Sequence, residues 1–116
     1  MLKKQNRLRG EKDFEKIIKK GERFWDIFLF LKVIKNNLMI VRVGLVISRK
    51  VSKKAVERNR IKRQLSEILR IKINEINSGY DLVFFVKKGI KTRSFSEIKE
   101  SVEALLKSAK IYSERK

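Results

Sequence analysis

The sequence predicts a small α+β fold, a two-layer sandwich of helices on a sheet in the order α-β-β-(β)-α-β-α. Three observations predict it. The 116 residues make one domain, with no room for a second core. Apolar residues, 42% of the chain, fall into blocks of helical period that alternate with blocks of period two. Turn-forming runs, Asn36-Asn37 and Asn77-Ser78-Gly79, separate those blocks. Residues 1–116 therefore read as a single domain, with the basic segment 1–10 and the tail 111–116 as its loose ends.

The first helix is expected over about Glu11–Lys20, with Phe14, Ile17 and Ile18 on one side. Gly21 stands where a left-handed residue would stop it. Phe24 to Ile34 reads as one strand. Its odd positions, Trp25, Ile27, Leu29, Leu31 and Val33, are all apolar and assigned to the core. Its even positions, Phe24, Asp26, Phe28, Phe30 and Lys32, mix aromatics with charge. After the Asn36-Asn37 turn, Met39 to Ser48 reads as a second strand, antiparallel to the first. Its apolar face is Met39, Val41, Val43, Leu45 and Ile47. Ser52 is the expected cap of a long helix ending near Lys72. Tyr80 to Lys87 is a short, mostly buried strand. Ser94 and Glu97 form a capping box, and Ile98, Val102, Leu105, Leu106 and Ala109 make the stripe of a last helix.

Charge narrows the partners. The chain carries 31 Lys+Arg against 13 Asp+Glu, a formal net charge of +18. Such a chain repels itself unless a polyanion neutralises it, and the simplest polyanion is a nucleic acid. Phe24 to Ile34 is interrupted by Asp26 and Lys32 and is too short to span a bilayer. The basic start is followed by Glu11, Lys12 and Asp13 rather than an apolar export segment. No membrane partner is expected, and the expected compartment is the cytoplasm.

Catalysis by side chains is not expected. The chain has neither Cys nor His, which removes thiol nucleophiles, the usual general base and most zinc or iron ligand sets. Asp26, Glu75 and Asp81 are scattered, with no paired-carboxylate spacing for two-metal nuclease chemistry. Phosphate-cradling glycine motifs are missing as well. The catalytic and metal-ligating sets are thus both expected to be empty.

The densest signal is Arg49 to Arg70, with nine basic residues and two acids. At about 100° per residue, Ile61, Leu65, Ile68 and Leu69 fall on one side of a helix. Asn59, Arg63 and Arg70 project from the opposite side, and Arg58, Arg60 and Lys62 lie on its flanks. Arg grips phosphate with a planar fork, and Asn reads a base edge or a sugar hydroxyl. A solvated charged face is the bland alternative. It needs acids one turn from the cations; Glu57 could pair so, but most of these cations have no acid within reach.

A second signal is the polar-side row of the two strands: Phe24, Phe28, Phe30, Lys32, Arg42 and Gly44. Aromatics beside cations on an open sheet make a stacking platform for unpaired bases. The same pattern also fits core packed beneath the first helix through Phe14 and Ile18. Composition leaves both readings open.

The run Lys54-Ala55-Val56-Glu57-Arg58-Asn59-Arg60-Ile61-Lys62-Arg63 resembles the signature of the bacterial ribonuclease P protein family. That signature is an Ala, two variable residues, Arg-Asn-Arg, an aliphatic, a basic residue and Arg, on a helix. Gly44-Leu45-Val46-Ile47-Ser48-Arg49-Lys50 precedes it, as in the family. Asn6-Arg7-Leu8, Asp13-Phe14-Glu15-Lys16 with Gly21, and Tyr80-Asp81-Leu82-Val83 agree in order, so the likeness runs from about Asn6 to Ala109.

The resemblance implies the protein component of a ribonucleoprotein endonuclease that removes 5′ leaders from precursor tRNA. In that family the RNA subunit is the catalyst and the protein is its accessory. It binds the leader and the RNA subunit and broadens substrate specificity. The fold implied is like the second domain of ribosomal protein S5, with a left-handed βαβ crossover against the usual rule. Arg58, Asn59, Arg60, Lys62 and Arg63, with Lys50 and Lys54, would contact the RNA subunit. Phe14, Ile18, Phe28, Phe30, Lys32 and Arg42 would line the leader cleft. The family often has an aromatic where this chain has Ile18, and another near Lys32. Mg²⁺ would be held mainly by the RNA subunit and substrate phosphates. No obligate protein partner is implied.

Two other readings stand beside this one. A structural RNA-binding protein of ribosomal type shares the basicity and the lack of catalytic groups. A DNA-binding helix-turn-helix is disfavoured, because no short scaffold helix and turn precede the basic helix.

Overall fold

The structure, a computed structural model, describes residues 2–112. Helix α1 spans Glu11–Lys20, strand β1 Glu22–Trp25, β2 Leu29–Lys35 and β3 Arg42–Val46. Helix α2 spans Ala55–Lys72, β4 Tyr80–Val86 and α3 Phe95–Ser108, with single 3-10 turns at Lys4–Asn6, Ile73–Glu75 and Ile90–Thr92. The α+β class and the element order stand, including the extra strand.

The four strands lie in the order β1-β2-β4-β3. β1 and β2 form an antiparallel hairpin, β2 runs antiparallel to β4, and β3 runs parallel to β4. Two expectations about the first strands are corrected here. Phe24 to Ile34 is two strands, broken where the Asp26 N–H donates to the Leu29 carbonyl at 2.9 Å around Ile27-Phe28. The second predicted strand does not pair with the first, because β4 lies between β2 and β3. A parallel β3–β4 pair needs a long crossover, and α2 supplies it.

The hairpin also corrects the face assignment. Antiparallel partners share a face, and the register Phe24↔Leu31, Trp25↔Phe30 joins an even-numbered residue to an odd one. Parity therefore switches across the turn. Leu29, Leu31 and Val33 are buried as expected, whereas Trp25 and Ile27, also assigned to the core, are 61% and 75% exposed. Phe24 takes the opposite side and packs on the main core. Val43 in β3 and Val41 just before it are buried, but Met39 lies ahead of the strand and in solvent.

One sheet face carries α2 and α3. Leu29, Leu31, Leu82 and Phe84 meet Ile61, Leu65, Ile68, Leu69, Ile98, Val102, Leu105 and Leu106 there in the main core. The four α2 residues are those the helical period selected. Each such side chain, fully buried, contributes about 1.5–3 kcal/mol of apolar transfer. The other face carries α1 alone, with Ile17 and Val83 completely buried between them beside Leu8.

Local chemistry sets the helix ends. Ser94 and Glu97 form the expected box: the Ser94 Oγ accepts from the Glu97 N–H, and the Glu97 carboxylate accepts from the Ser94 N–H. Ser52 is not the cap of α2, since Lys54 holds that position. It is buried two residues earlier, where its hydroxyl donates to Glu57 at 2.5 Å and accepts from the Lys54 N–H at 3.2 Å. Gly21 follows α1 with φ −69°, so it is not left-handed. Its need for no side chain is steric: a Cβ there would sit 2.6 Å from the Ile17 carbonyl and 3.3 Å from that of Val33.

The chain's beginning is docked along β3. Asn6 donates through Nδ2 to the Val41 carbonyl at 2.8 Å, the Leu8 N–H donates to that of Val43 at 2.9 Å, and Leu2 and Leu8 are buried. At the other end Ile111 is buried, and Tyr112 bridges to Ile76. Residues 113–116 of the expected loose tail lie outside the described residues.

Candidate nucleic-acid interface

Strand register lays three cross-strand rows on the face that carries α1. Trp25, Phe30, Phe85 and Val46 form the first, and Arg23, Lys32, Val83 and Gly44 the second. Ile34, Asp81 and Arg42 form the third. Helix α1 crosses the sheet above the second row. Its Phe14 ring lies over Gly44, Ile17 packs with Val83, and the Ile18 carbonyl accepts from Lys32 Nζ at 2.6 Å.

Helix geometry fixes which flank of α1 faces which row. Asp13 reaches Arg42 at 3.4 Å, so its flank looks to the third row. Phe14 and Ile18, one turn apart, lie on the other flank and look to the first row. The space between this flank and the first row is the candidate cleft, with Phe14 and the half-exposed Ile18 on one side and Val46, Phe85 and Phe30 as its floor. Trp25 continues that floor to the sheet edge. Its ring stacks on Phe30 at 5.5 Å, and Phe30 meets Phe85 at 5.0 Å.

Of the six residues expected to line a leader cleft, Phe14, Ile18 and Phe30 fall beside this candidate cleft. Lys32 lies beneath α1, 7% exposed, with its ammonium 5.8 Å from the Phe30 ring centre and bonded to the helix end. Phe28 is not in the cleft. It sits in the hairpin turn, packs on the main core, and has Arg93 4.9 Å over its ring. Arg42 faces the right way, but its fork is occupied: Nε and Nη2 bind both oxygens of buried Asp81 at 2.8 and 2.6 Å. That hydrogen-bonded carboxylate raises the Arg42 pKa against the cost of burial. Asn36 donates to the same carboxylate at 2.8 Å. Phe85, Val46 and Trp25 were missed by sequence reasoning. The signal for Phe85 was an aromatic in a strand whose register was not known.

The basic helix approaches this cleft at the β3 edge, where the chain's beginning is docked. Lys62 and Ser66 of α2 share a cavity of about 260 Å³ with Phe14, Gly44, Arg7 and Leu8. Along α2, Arg58 donates to the Ser52 carbonyl at 2.9 Å and Arg60 to that of Lys91 at 3.0 Å. Both remain partly exposed. Asn59, Lys62 and Arg63 are exposed, and among the described residues no side-chain hydrogen bond or ion pair engages them. Lys50 and Lys54 lie exposed on the loop that enters the helix. This arrangement can grip phosphates along the helix while unpaired bases stack in the adjoining cleft.

Carboxylates here serve the fold. Asp81 holds Arg42, Glu103 holds Lys72 at 2.6 Å, Glu57 accepts from Ser52, and Asp26 accepts from Ser101. The Ser52 hydroxyl lowers the Glu57 pKa, and the Lys72 ammonium lowers that of Glu103. Among the described residues no group of three or more acids forms a candidate metal site. No described helix is long and apolar enough to cross a membrane.

A family model described as Ribonuclease P matches residues 2–110. The ribonuclease P protein component of a Pseudanabaena species is 38% identical over 112 residues, covering 96% of this chain and 97% of that relative. Its counterpart in Clostridioides difficile is 38% identical over 105 residues, 90% of this chain and 91% of its own. Among solved structures, the Staphylococcus aureus RNase P protein superposes with a TM-score of 0.85 at 28% identity, covering 93% of this chain and 98% of that one. The Thermotoga maritima RNase P protein superposes at 0.81 with 32% identity, over 88% and 96%.

Proposed function

The chain belongs to the ribonuclease P protein family, and from that premise we propose that it is the accessory protein subunit of ribonuclease P. Its partners are the catalytic RNA subunit and precursor tRNA, and the enzyme they form removes the 5′ leader endonucleolytically. The protein holds the leader and the RNA subunit and so broadens the range of substrates cut. One observation carries the reading: Lys62 and Ser66 of the basic helix line one cavity with Phe14 of α1. An RNA gripped along the helix and a strand laid over Phe14 would therefore be neighbours.

The division of labour follows from side-chain chemistry. Arg58, Asn59, Arg60, Lys62 and Arg63, extended by Lys50 and Lys54, hold RNA-subunit phosphates. Phe14, Ile18 and Phe30 contact the leader, and Lys32 orients α1 above it. Neither Phe28 nor Arg42 is needed for contact. Hydrolysis needs Mg²⁺, a hard cation that prefers phosphate oxygens and water to a cage of protein groups. The RNA subunit and substrate phosphates hold it; among the described residues the acids of this chain form no cluster of three or more. The cytoplasm, where precursor tRNA is made, is the matching compartment. A purely ribosomal role would not require the leader cleft.

Reconstitution tests this directly. At low Mg²⁺, precursor tRNA should be cut by the cognate RNA plus this protein and poorly by the RNA alone. The protein by itself should not cut at any Mg²⁺ concentration. Cleavage by RNA-free protein would overturn the accessory role.

A further inference from the structure

We propose that Trp25, backed by Phe30, is a second stacking station, which holds a leader nucleotide farther from the tRNA than the one at Phe14. It rests on the leader reading above and extends it across the sheet. The first row continues from Val46 on β3 through Phe85 and Phe30 to Trp25 on β1, about 14 Å at three inter-strand spacings. The end near Phe14 adjoins the basic helix, and hence the catalytic RNA. Trp25 stands at the opposite edge, so a strand entering over Phe14 reaches it last.

The indole is built as a platform. It is 61% exposed, yet lies nearly parallel to the Phe30 ring, at 5.5 Å and 17°. Phe30 is in turn supported by Phe85. Three rings in a row fix the indole plane and leave its outer face open at the edge strand. An indole so held loses little freedom when a base stacks on it. Cations border the row on both sides. Arg23 is exposed in the neighbouring row, and Lys87 is pinned at the hairpin, where its Nζ donates to the Asp26 carbonyl at 2.7 Å. On a chain of net charge +18, an aromatic strip between cations suits a single-stranded polyanion with stacking bases. A lipid surface is the competing occupant, since Ile27 at the hairpin tip is also exposed.

Trp25 is the single tryptophan of the chain, so its emission reports on this spot alone. The full chain is titrated with mature tRNA and with precursor tRNAs whose leaders lengthen one nucleotide at a time. Short leaders should tighten binding and leave the emission unchanged. Beyond a threshold length the emission should be quenched and the affinity should rise about tenfold. Trp25→Ala should lose that second gain and keep the first, and Trp25→Phe should restore part of it. The residue is exposed, so both variants should melt like the parent. If no leader length quenches Trp25 while precursor still outbinds mature tRNA, the station is wrong and the leader cleft stands. If precursor is never preferred, both fall. Equal quenching by mature tRNA, or a blue shift with anionic vesicles and none with leaders, would also overturn the station.

Discussion

The ring of Phe14 occupies the space where Gly44 has no side chain: a Cβ on Gly44 would lie 2.6 Å from the ring edge. Helix α1 is thereby seated on the edge strand at one position, and the aromatic that lines the cleft is placed by a missing methyl group.

Gly44→Ala should lift Phe14 and tilt α1. Overpacking of this kind costs about 1–3 kcal/mol, so the melting temperature should fall by several degrees. The preference for precursor over mature tRNA should fall with it. Thermal melts beside tRNA affinities check both, and an unchanged variant would mean that α1 is not held at Gly44.

Arg42→Ala should behave as a stability mutant. It strips buried Asp81 of its bidentate partner, and breaking such a pair costs about 3–5 kcal/mol. Leader affinity, measured well below the melting temperature, should change little. A large loss of leader affinity at normal stability would return Arg42 to the cleft.

On α2, Arg63→Ala should weaken binding to the RNA subunit by about 1–3 kcal/mol. The slope of log affinity against log salt should become shallower by about one for each phosphate that is no longer neutralised. Ile61→Ala, on the buried side of the same helix, should instead cost about 2–5 kcal/mol of fold stability. Denaturant melts and RNA titrations at several salt concentrations separate the two effects.

Lys72 gives the fold a pH signature. Burial disfavours its charge, but hydrogen bonds to Glu103 and the Tyr112 hydroxyl outweigh that and raise its pKa. A raised pKa adds stability that is full below the unfolded value and lost as pH climbs through the folded one. Glu103, lowered by Lys72, adds stability above its unfolded value that is lost as pH falls through the folded one. Stability should hold at neutral pH and decline on the acid and alkaline sides. In Lys72→Met both declines should be shallower, as melts across pH would record.

The helices were legible in the sequence because each announces itself locally. Glu11–Lys20 and the Ser94–Glu97 box emerged as expected, and the buried side of α2 followed from its period. The strands were less legible, since pairing is a long-range property. Nothing near Asp26 spells a standard two-residue turn, so Phe24 to Ile34 read as one strand and its faces were reversed at Trp25 and Phe28. The basic half of the site was plain from charge. Its aromatic half depended on register, and Phe85 entered only when β4 was seen between β2 and β3.

The most direct test compares precursor and mature tRNA affinities of the wild type and Phe14→Ala, with thermal melts alongside. Stacking contributes about 1–3 kcal/mol per base, so Phe14→Ala should cut the precursor preference by up to about a hundredfold while mature tRNA binds as before. If Phe14→Ala weakens both tRNAs alike, in step with a lower melting temperature, Phe14 is core and the cleft does not hold the leader.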